Sequence, residues 1–204
     1  MTDKKSSGKL EVICGSMFSG KSEELIRRIR RARYAQQKTQ LFKHASDDRT
    51  TIEHVHAHNG DKLSACAADT VATIEKMILD NAQIIGIDEV QFFGHEIVLL
   101  IDKLVEQGKR VIVAGLDLDF RGIPFGCMPT LLALADDVTK LKAVCMQSGE
   151  DAYLSQRLIN GNPAKHTDPI VLIGAQEAYE ARSRACHEID KKPLEEYVKK
   201  QRCL

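Results

Sequence analysis

The chain has 204 residues, 43% of them hydrophobic and 28% charged, which is enough for one substantial core with a small appendage and is ordinary for a globular protein. Its formal net charge of +0 excludes a global electrostatic pull toward nucleic acid or an anionic membrane. No apolar run can span a bilayer, and residues 1–9 lack the apolar stretch of a secretory signal, so a cytoplasmic protein is expected, with its six cysteines outside any disulfide framework.

In chain order, Leu10, Glu11, Val12, Ile13 and Cys14 read as a short buried strand. A glycine-containing run follows, and residues 23–36 then form a charged helix with Leu25, Ile26 and Ile29 at helical spacing. Residues 39–43 read as a second strand. Residues 46–62 are polar and carry His54, His56 and His58; they are expected as loop, with a short extended piece near Leu63. Val71, Ile74 and Ile78 predict a helix over 70–80. Residues 83–87 form a continuous apolar strand of the kind buried on both faces of a parallel sheet. An amphipathic helix over 96–107 is stopped by Gly108, and residues 109–115 are the next central strand. Alternating strands and helices predict an α/β fold, doubly wound, with sites at the carboxyl ends of the strands. Near Lys140 the character changes. Residues 143–147 and 149–157, the turn cluster Asn160, Gly161, Asn162 and Pro163, and the run 169–174 suggest a smaller, turn-rich unit. The organisation expected is a nucleotide-binding domain over 1–142, a small domain over 143–190 and a charged tail over 191–204, with partial disorder expected from Glu188 onward. No internal repeat is visible.

Gly15, Ser16, Met17, Phe18, Ser19, Gly20, Lys21 and Ser22 fit the phosphate-binding loop: a glycine, four residues, then Gly-Lys-Ser. A strand before it and a helix after it are the context the motif needs. Backbone N–H groups of such a loop and of the helix start converge on a polyphosphate. Lys21 reaches the outer phosphates, and the Ser22 hydroxyl ligates magnesium. The second chemical feature is Asp88-Glu89 at the end of an apolar strand. A phosphate-loop enzyme holds magnesium through a carboxylate, usually on a neighbouring strand, and Asp88 suits that part. Successive residues in extended chain point opposite ways. Glu89 therefore faces a second ligand, where it can accept the proton of an attacking hydroxyl. The plainer alternative is a strand-end carboxylate that caps the next turn.

Those two motifs extend into longer ones: Val90, Gln91, Phe92 and Phe93 after the acids, then Gly115, Leu116, Asp117, Leu118, Asp119, Phe120, Arg121, Gly122, Ile123, Pro124, Phe125 and Gly126. Lys142, Ala143, Val144 and Cys145 follow, as do Ile173, Gly174, Ala175, Gln176, Glu177, Ala178 and Tyr179. In this order and spacing, over nearly the whole chain, they resemble the cytosolic type II thymidine kinases. The resemblance implies a P-loop, RecA-like parallel sheet with helices on both faces, plus a small C-terminal lasso or lid domain. It implies a homotetramer that uses ATP and Mg2+ to phosphorylate the 5′-hydroxyl of thymidine, and of deoxyuridine, giving dTMP and ADP in nucleotide salvage for DNA synthesis. Neither nucleic acid nor membrane is an expected partner. Carried over by position, Gly15 to Ser22 form the ATP cradle. Asp88 is the magnesium-linked acid, Glu89 the proton acceptor, and Gln91 a nucleotide contact. Arg49, in the segment Asp47-Asp48-Arg49, approaches the phosphates. Met17, Leu116, Phe120, Phe125 and Tyr179 line the thymine pocket, and Ser155 lies near the base. The backbone of the lid segment 170–174, with Ile173 and Gly174, hydrogen-bonds the base.

Those assignments make physical sense. Phosphoryl transfer needs positioning and charge neutralisation more than covalent chemistry, and a flat nucleobase wants aromatic and thioether walls with a few polar anchors. Phe120 and Phe125 sit in an irregular stretch just after a central strand, where they either line a pocket or tuck into the core. Phe42 and Phe93 read as core. Tyr179 taken alone is equally a packing or surface tyrosine. A closed lid matters because water competes with the hydroxyl.

The cysteines depart from the family. Many relatives hold a structural zinc with two Cys-x-x-Cys or Cys-x-x-His pairs. Here Cys145 is followed by Ser148, and Ser183 precedes Cys186 and His187. Cys145 and Cys186 are remnants of a set that normally has four ligands, and no zinc is expected. Cys14, Cys66 and Cys127 read as small hydrophobes. Arg27, Arg28, Arg30, Arg31 and Arg33 read as a solvated or subunit-contacting face. Two rivals remain open: a regulatory phosphate-loop ATPase, and a kinase for another nucleoside or alcohol.

Overall fold

The computed structural model describes residues 8–45, 54–56, 62–170 and 177–201. The elements in order are β1 (Lys9–Gly15), α1 (Lys21–Tyr34), β2 (Thr39–His44), β3 (His54–His56), β4 (Lys62–Ser64), β5 (Cys66–Ala68), α2 (Val71–Met77), β6 (Ile84–Asp88), a 3-10 turn (Val90–Phe92), α3 (Glu96–Glu106), β7 (Arg110–Gly115), α4 (Met128–Leu134), β8 (Asp137–Leu141), β9 (Ala143–Val144), β10 (Asp151–Ala152), β11 (Leu154–Ile159), β12 (Asn162–Pro163), β13 (Glu177–Arg182) and α5 (Leu194–Gln201). They fall into two compact units. One comprises the described parts of Met1–Cys14, Gly20–Gly115 and Gly126–Lys140; the other comprises Gly15–Ser19, Leu116–Phe125 and the described parts of Leu141–Leu204.

In the first unit a six-stranded sheet has the order β5-β2-β6-β7-β1-β8. The pairs β1/β7, β6/β7, β2/β6 and β2/β5 are all parallel. Every residue of β6 is buried, as its unbroken apolar run requires of a central parallel strand. Side chains alternate across the sheet. Leu10, Val12, Cys14, Phe42, Ile85, Ile87, Val111 and Val113 form one core with Ile74 of α2, Ile97, Leu100, Ile101 and Leu104 of α3, and Met128 and Leu131 of α4. The other face takes α1, which buries Leu25, Ile26, Ile29 and Ala32. Gly86 lets α1 approach closely, because a Cβ there would lie 2.7 Å from Leu41 and 3.1 Å from Ile29. Helices therefore cover both faces, and the α/β expectation holds.

Local chemistry sets the element ends. Acidic Glu23 and Glu24 occupy the first turn of α1 and basic Arg31 and Arg33 its last, in the sense that complements the helix dipole. Thr70 caps α2 by accepting the Thr73 N–H. Gly108, at φ 85°, ends α3. Several elements differ from expectation. Part of the 46–62 stretch expected as loop is strand, with β3 pairing β4 antiparallel, Val55 against Leu63. β5, α4 and β8 were not legible from pattern. Arg28, expected on a solvated or subunit-contacting face, bonds Glu11 at 2.7 Å, and Arg110 bonds the same carboxylate at 2.8 Å. No helix among the described residues is long and apolar enough to cross a membrane.

In the second unit β12, β11 and β13 form an antiparallel sheet, and β9 pairs β10. Asn160 and Gly161, both at positive φ, make the two-residue turn that joins β11 to β12, the hairpin use expected of Asn-Gly. Ala143, Cys145, Ala152 and Ala181 form a small core with Cys186 against it. In the charged tail, residues Leu194–Gln201 are helical.

Candidate active site

In the first unit the start of α1, the end of β6 and the 3-10 turn come together at the carboxyl edge of the sheet. β6 is not the neighbour of β1, since β7 lies between them. The carboxylate expected on a neighbouring strand is thus one strand further off. α1 closes that gap, because it runs back over β6 and brings its first turn to the strand's end. The Ser22 hydroxyl donates to Asp88 Oδ2 at 2.8 Å. Asp88 is buried, and its Oδ1 accepts the Glu89 N–H at 3.0 Å. Burial pushes the Asp88 carboxyl well above the usual carboxylate range, and the Glu89 charge pushes it the same way. The Ser22 hydroxyl, the Glu89 N–H and Lys21 oppose this without cancelling it. A hydroxyl and a buried carboxylate at hydrogen-bond distance make an oxygen pair suited to a hard divalent cation.

Glu89 has φ 53° and ψ 40°. A non-glycine residue in the left-handed region costs of order 1–3 kcal/mol and marks functional sites. Its surroundings hold it there. The buried Gln91 amide donates to Glu89 Oε2 at 2.5 Å, and the Phe92 N–H bonds the Glu89 carbonyl at 3.1 Å. Gln91 in turn packs on Gly115, where a Cβ would lie 2.5 Å from its Oε1. Glu89 is half-buried, and the Gln91 bond fixes the direction of its carboxylate. Gln91, expected from the resemblance as a nucleotide contact, here bonds and orients the candidate proton acceptor.

In the second unit the loop residues Gly15–Ser19 have their own supports. Gly15, at φ 143°, has no room for a Cβ, which would run into the Leu141 carbonyl. The Met17 N–H donates to Ser155 Oγ at 2.9 Å, and the Ser16 hydroxyl donates to the Ala152 carbonyl at 3.3 Å. Ser155 was assigned to the base; its hydroxyl also shapes the loop. Phe18 is left-handed at φ 63° and exposed. Ser19 Oγ is buried with no hydrogen-bond partner among the described residues, as an atom awaiting an anion's oxygen would be.

The stretch Leu116–Phe125 is a tight hairpin. Leu118 bridges Pro124, the Asp119 N–H donates to the Ile123 carbonyl at 2.8 Å, and the Phe125 N–H donates to the Asp117 carbonyl at 3.0 Å. Buried Asp119 is clamped by Arg121 at 2.6 Å. Phe120 is buried, while Leu116 and Phe125 are half-buried. The Phe120 carbonyl lies 2.9 Å from His187 Nε2. Tyr179 is half-buried on β13, in register with Arg157. Of the candidates from sequence, Gly20, Lys21, Ser22, Asp88, Glu89 and Gln91 stand in the first unit; Gly15, Ser16, Met17, Phe18, Ser19, Leu116, Phe120, Phe125, Ser155 and Tyr179 stand in the second. Arg49, Ile173 and Gly174 lie outside the described residues. The approach of Gln91 to Gly115 and of Arg157 to Phe120 joins residues distant in sequence, and no local pattern signals either.

The two turns that hold zinc in many relatives are present in the second unit with altered chemistry. Burial pushes the Cys145 thiol up. Hydrogen bonds from the Ser148 hydroxyl and from backbone at Ser183, Ser148 and Gln147 outweigh it, holding the thiol at about 5. Ser148 also accepts the Glu150 N–H at 3.4 Å, and His187 is taken by Phe120. Two thiols and two hydroxyls do not fit a closed structural zinc site of cysteine and histidine.

A parallel strand running into a glycine loop, a helix that opens Lys-Ser, and a strand-end aspartate bonded to that serine define a phosphate-loop α/β protein. The family model described as thymidine kinase matches residues 8–187 of the chain. The chain belongs to the thymidine kinase family, whose members are kinases that transfer phosphate.

Proposed function

We propose that the protein transfers the γ-phosphoryl of ATP to the 5′-hydroxyl of thymidine, and of deoxyuridine, giving dTMP or dUMP and ADP. The observation that carries this reading is the pairing of Ser22 with Asp88 and of Gln91 with Glu89 at the carboxyl end of β6, in a chain of this family. The loop N–H groups and Lys21 hold the ATP phosphates, and Arg49 adds positive charge. Mg2+ at Ser22 and Asp88 supplies charge neutralisation on the phosphate oxygens. Glu89 accepts the proton of the 5′-hydroxyl as it attacks, its carboxylate aimed by Gln91. Met17, Leu116, Phe120, Phe125 and Tyr179 form the walls for thymine. Ser155 and the 170–174 backbone, with Ile173 and Gly174, supply its polar anchors. The nucleotide-binding domain over 1–142 and the lid over 143–190 work in a cytoplasmic homotetramer that salvages nucleosides for DNA synthesis.

The test is ADP release with ATP, Mg2+ and each nucleoside in turn. The reading requires ADP only with thymidine or deoxyuridine. ADP release independent of nucleoside would assign a regulatory ATPase instead, and release with another nucleoside alone would assign a different kinase.

A further inference from the structure

Arg157 is the largest fully buried side chain among the described residues. Burying a guanidinium costs several kcal/mol after relaxation, and hydrophobic replacements are often as stable. A fully buried arginine therefore calls for a reason beyond packing. Contacts within the second unit supply one. The guanidinium carbon lies 5.2 Å from the centroid of the Phe120 ring, within cation–π range. Nη1 donates to the Pro169 carbonyl at 2.5 Å. The backbone carbonyl of Arg157 accepts the Ala164 N–H at 3.0 Å, which closes the chain between β12 and Pro169 onto β11. Across the sheet Arg157 is in register with Tyr179. Two residues back along β11, Ser155 takes the Met17 N–H; residues i and i+2 of a strand share a face.

One side chain thus touches or neighbours two positions to which the nucleoside has been assigned, the Phe120 wall and Tyr179, and also bonds the Pro169 carbonyl. We propose that Arg157 is the positioning residue of the nucleoside site, fixing the Phe120 ring and the chain at Pro169 in one arrangement and so setting affinity for the nucleoside rather than the rate of phosphoryl transfer. This rests on the functional reading above. A planar fork suits the task, because one plane can lie over a ring while its edge bonds a carbonyl. Lysine keeps the charge but loses the plane, and methionine keeps length and burial but loses both.

Steady-state kinetics of wild type, Arg157→Lys and Arg157→Met, varying thymidine and ATP separately, test it. The expected result is a KM for thymidine raised at least tenfold in Arg157→Met and a smaller, about threefold rise in Arg157→Lys. KM for ATP and kcat at saturating thymidine stay within about twofold. An unchanged thymidine KM in both folded variants overturns the proposal, as does equal loss of kcat for both variants with unaltered KM. If Arg157→Met does not fold, Arg157→Lys combined with Phe120→Leu decides. Non-additive rises in thymidine KM support the coupling, and additive ones overturn it. A wild type that uses no nucleoside overturns the functional reading and this proposal with it, whereas an active wild type with indifferent variants overturns this proposal alone.

Discussion

Gly115→Ala tests the link between Gln91 and Glu89 without touching either. The new Cβ would sit 2.5 Å from Gln91 Oε1, 3.0 Å from Met128 Sδ and 3.0 Å from Val90 Cγ1. Ordinary contact is about 3.4–4 Å, so the amide must retreat by roughly 1 Å from a buried position. Overpacking of this kind costs about 1–3 kcal/mol, which lowers Tm by roughly 4–8 °C in a chain of this size for a loss near 2 kcal/mol. The functional cost is larger. The amide bonds Glu89 Oε2 at 2.5 Å, and a misplacement of about 1 Å in a positioned group costs on the order of a hundredfold in rate. Gly86→Ala is the control. Its Cβ would meet Leu41 at 2.7 Å and Ile29 at 3.1 Å, a comparable clash that does not involve Gln91. Thermal melts and kcat measured on both variants separate the effects. Comparable loss of stability is expected in both, with kcat reduced about a hundredfold only in Gly115→Ala. Equal kcat in the two variants would refute the claim that Gln91 aims the carboxylate.

Glu89→Gln abolishes turnover and leaves ATP affinity, read by calorimetry, within a few-fold of wild type; retained turnover would remove Glu89 from the proton-accepting role. The Glu11 carboxylate is opposed by its burial but held at about 2 by hydrogen bonds from Arg110 and Arg28. Its pKa is depressed on folding, so its contribution of about 3 kcal/mol is present above pH 4.5 and lost as pH falls toward 2. Denaturant melts of wild type and Glu11→Gln should differ by that amount at pH 7 and converge on acidification, whereas a gap independent of pH would contradict the assignment. Because burial raises Asp88, divalent-cation affinity should climb with pH above the usual carboxylate range and lose that climb in Asp88→Asn. A pH-independent affinity in wild type would count against Asp88 as the ligand.

Much of the first unit is legible because its signals are local. β1, the loop and α1 are contiguous, and β6 declares itself by an apolar run that ends in two acids. Asn160-Gly161 marks a turn by backbone preference alone. What escaped depends on partners distant in sequence or on elements too short for periodicity. β5 is three small residues, Cys66, Ala67 and Ala68, with no alternation to read. α4 has seven residues and opens with Pro129 in its first turn, a helix-start signal that a short apolar stretch could not confirm. Arg28 looks like one more surface cation until Glu11, 17 residues away, is brought beneath it. Arg157 carries no motif of its own, and the motif that sets Gln91 beside the acids does not show its bond to Glu89. Their roles appear only when Glu89 is left-handed and Phe120 is folded under the guanidinium.

The central claim is that a phosphoryl group passes from ATP directly to a sugar hydroxyl. Wild type incubated with thymidine, Mg2+ and ATP bearing 18O on its γ-phosphoryl oxygens, with products read by mass spectrometry, tests it most directly. Three labelled oxygens should appear in dTMP, in amounts equal to the ADP formed. Label recovered as inorganic phosphate while thymidine stays unmodified would contradict it.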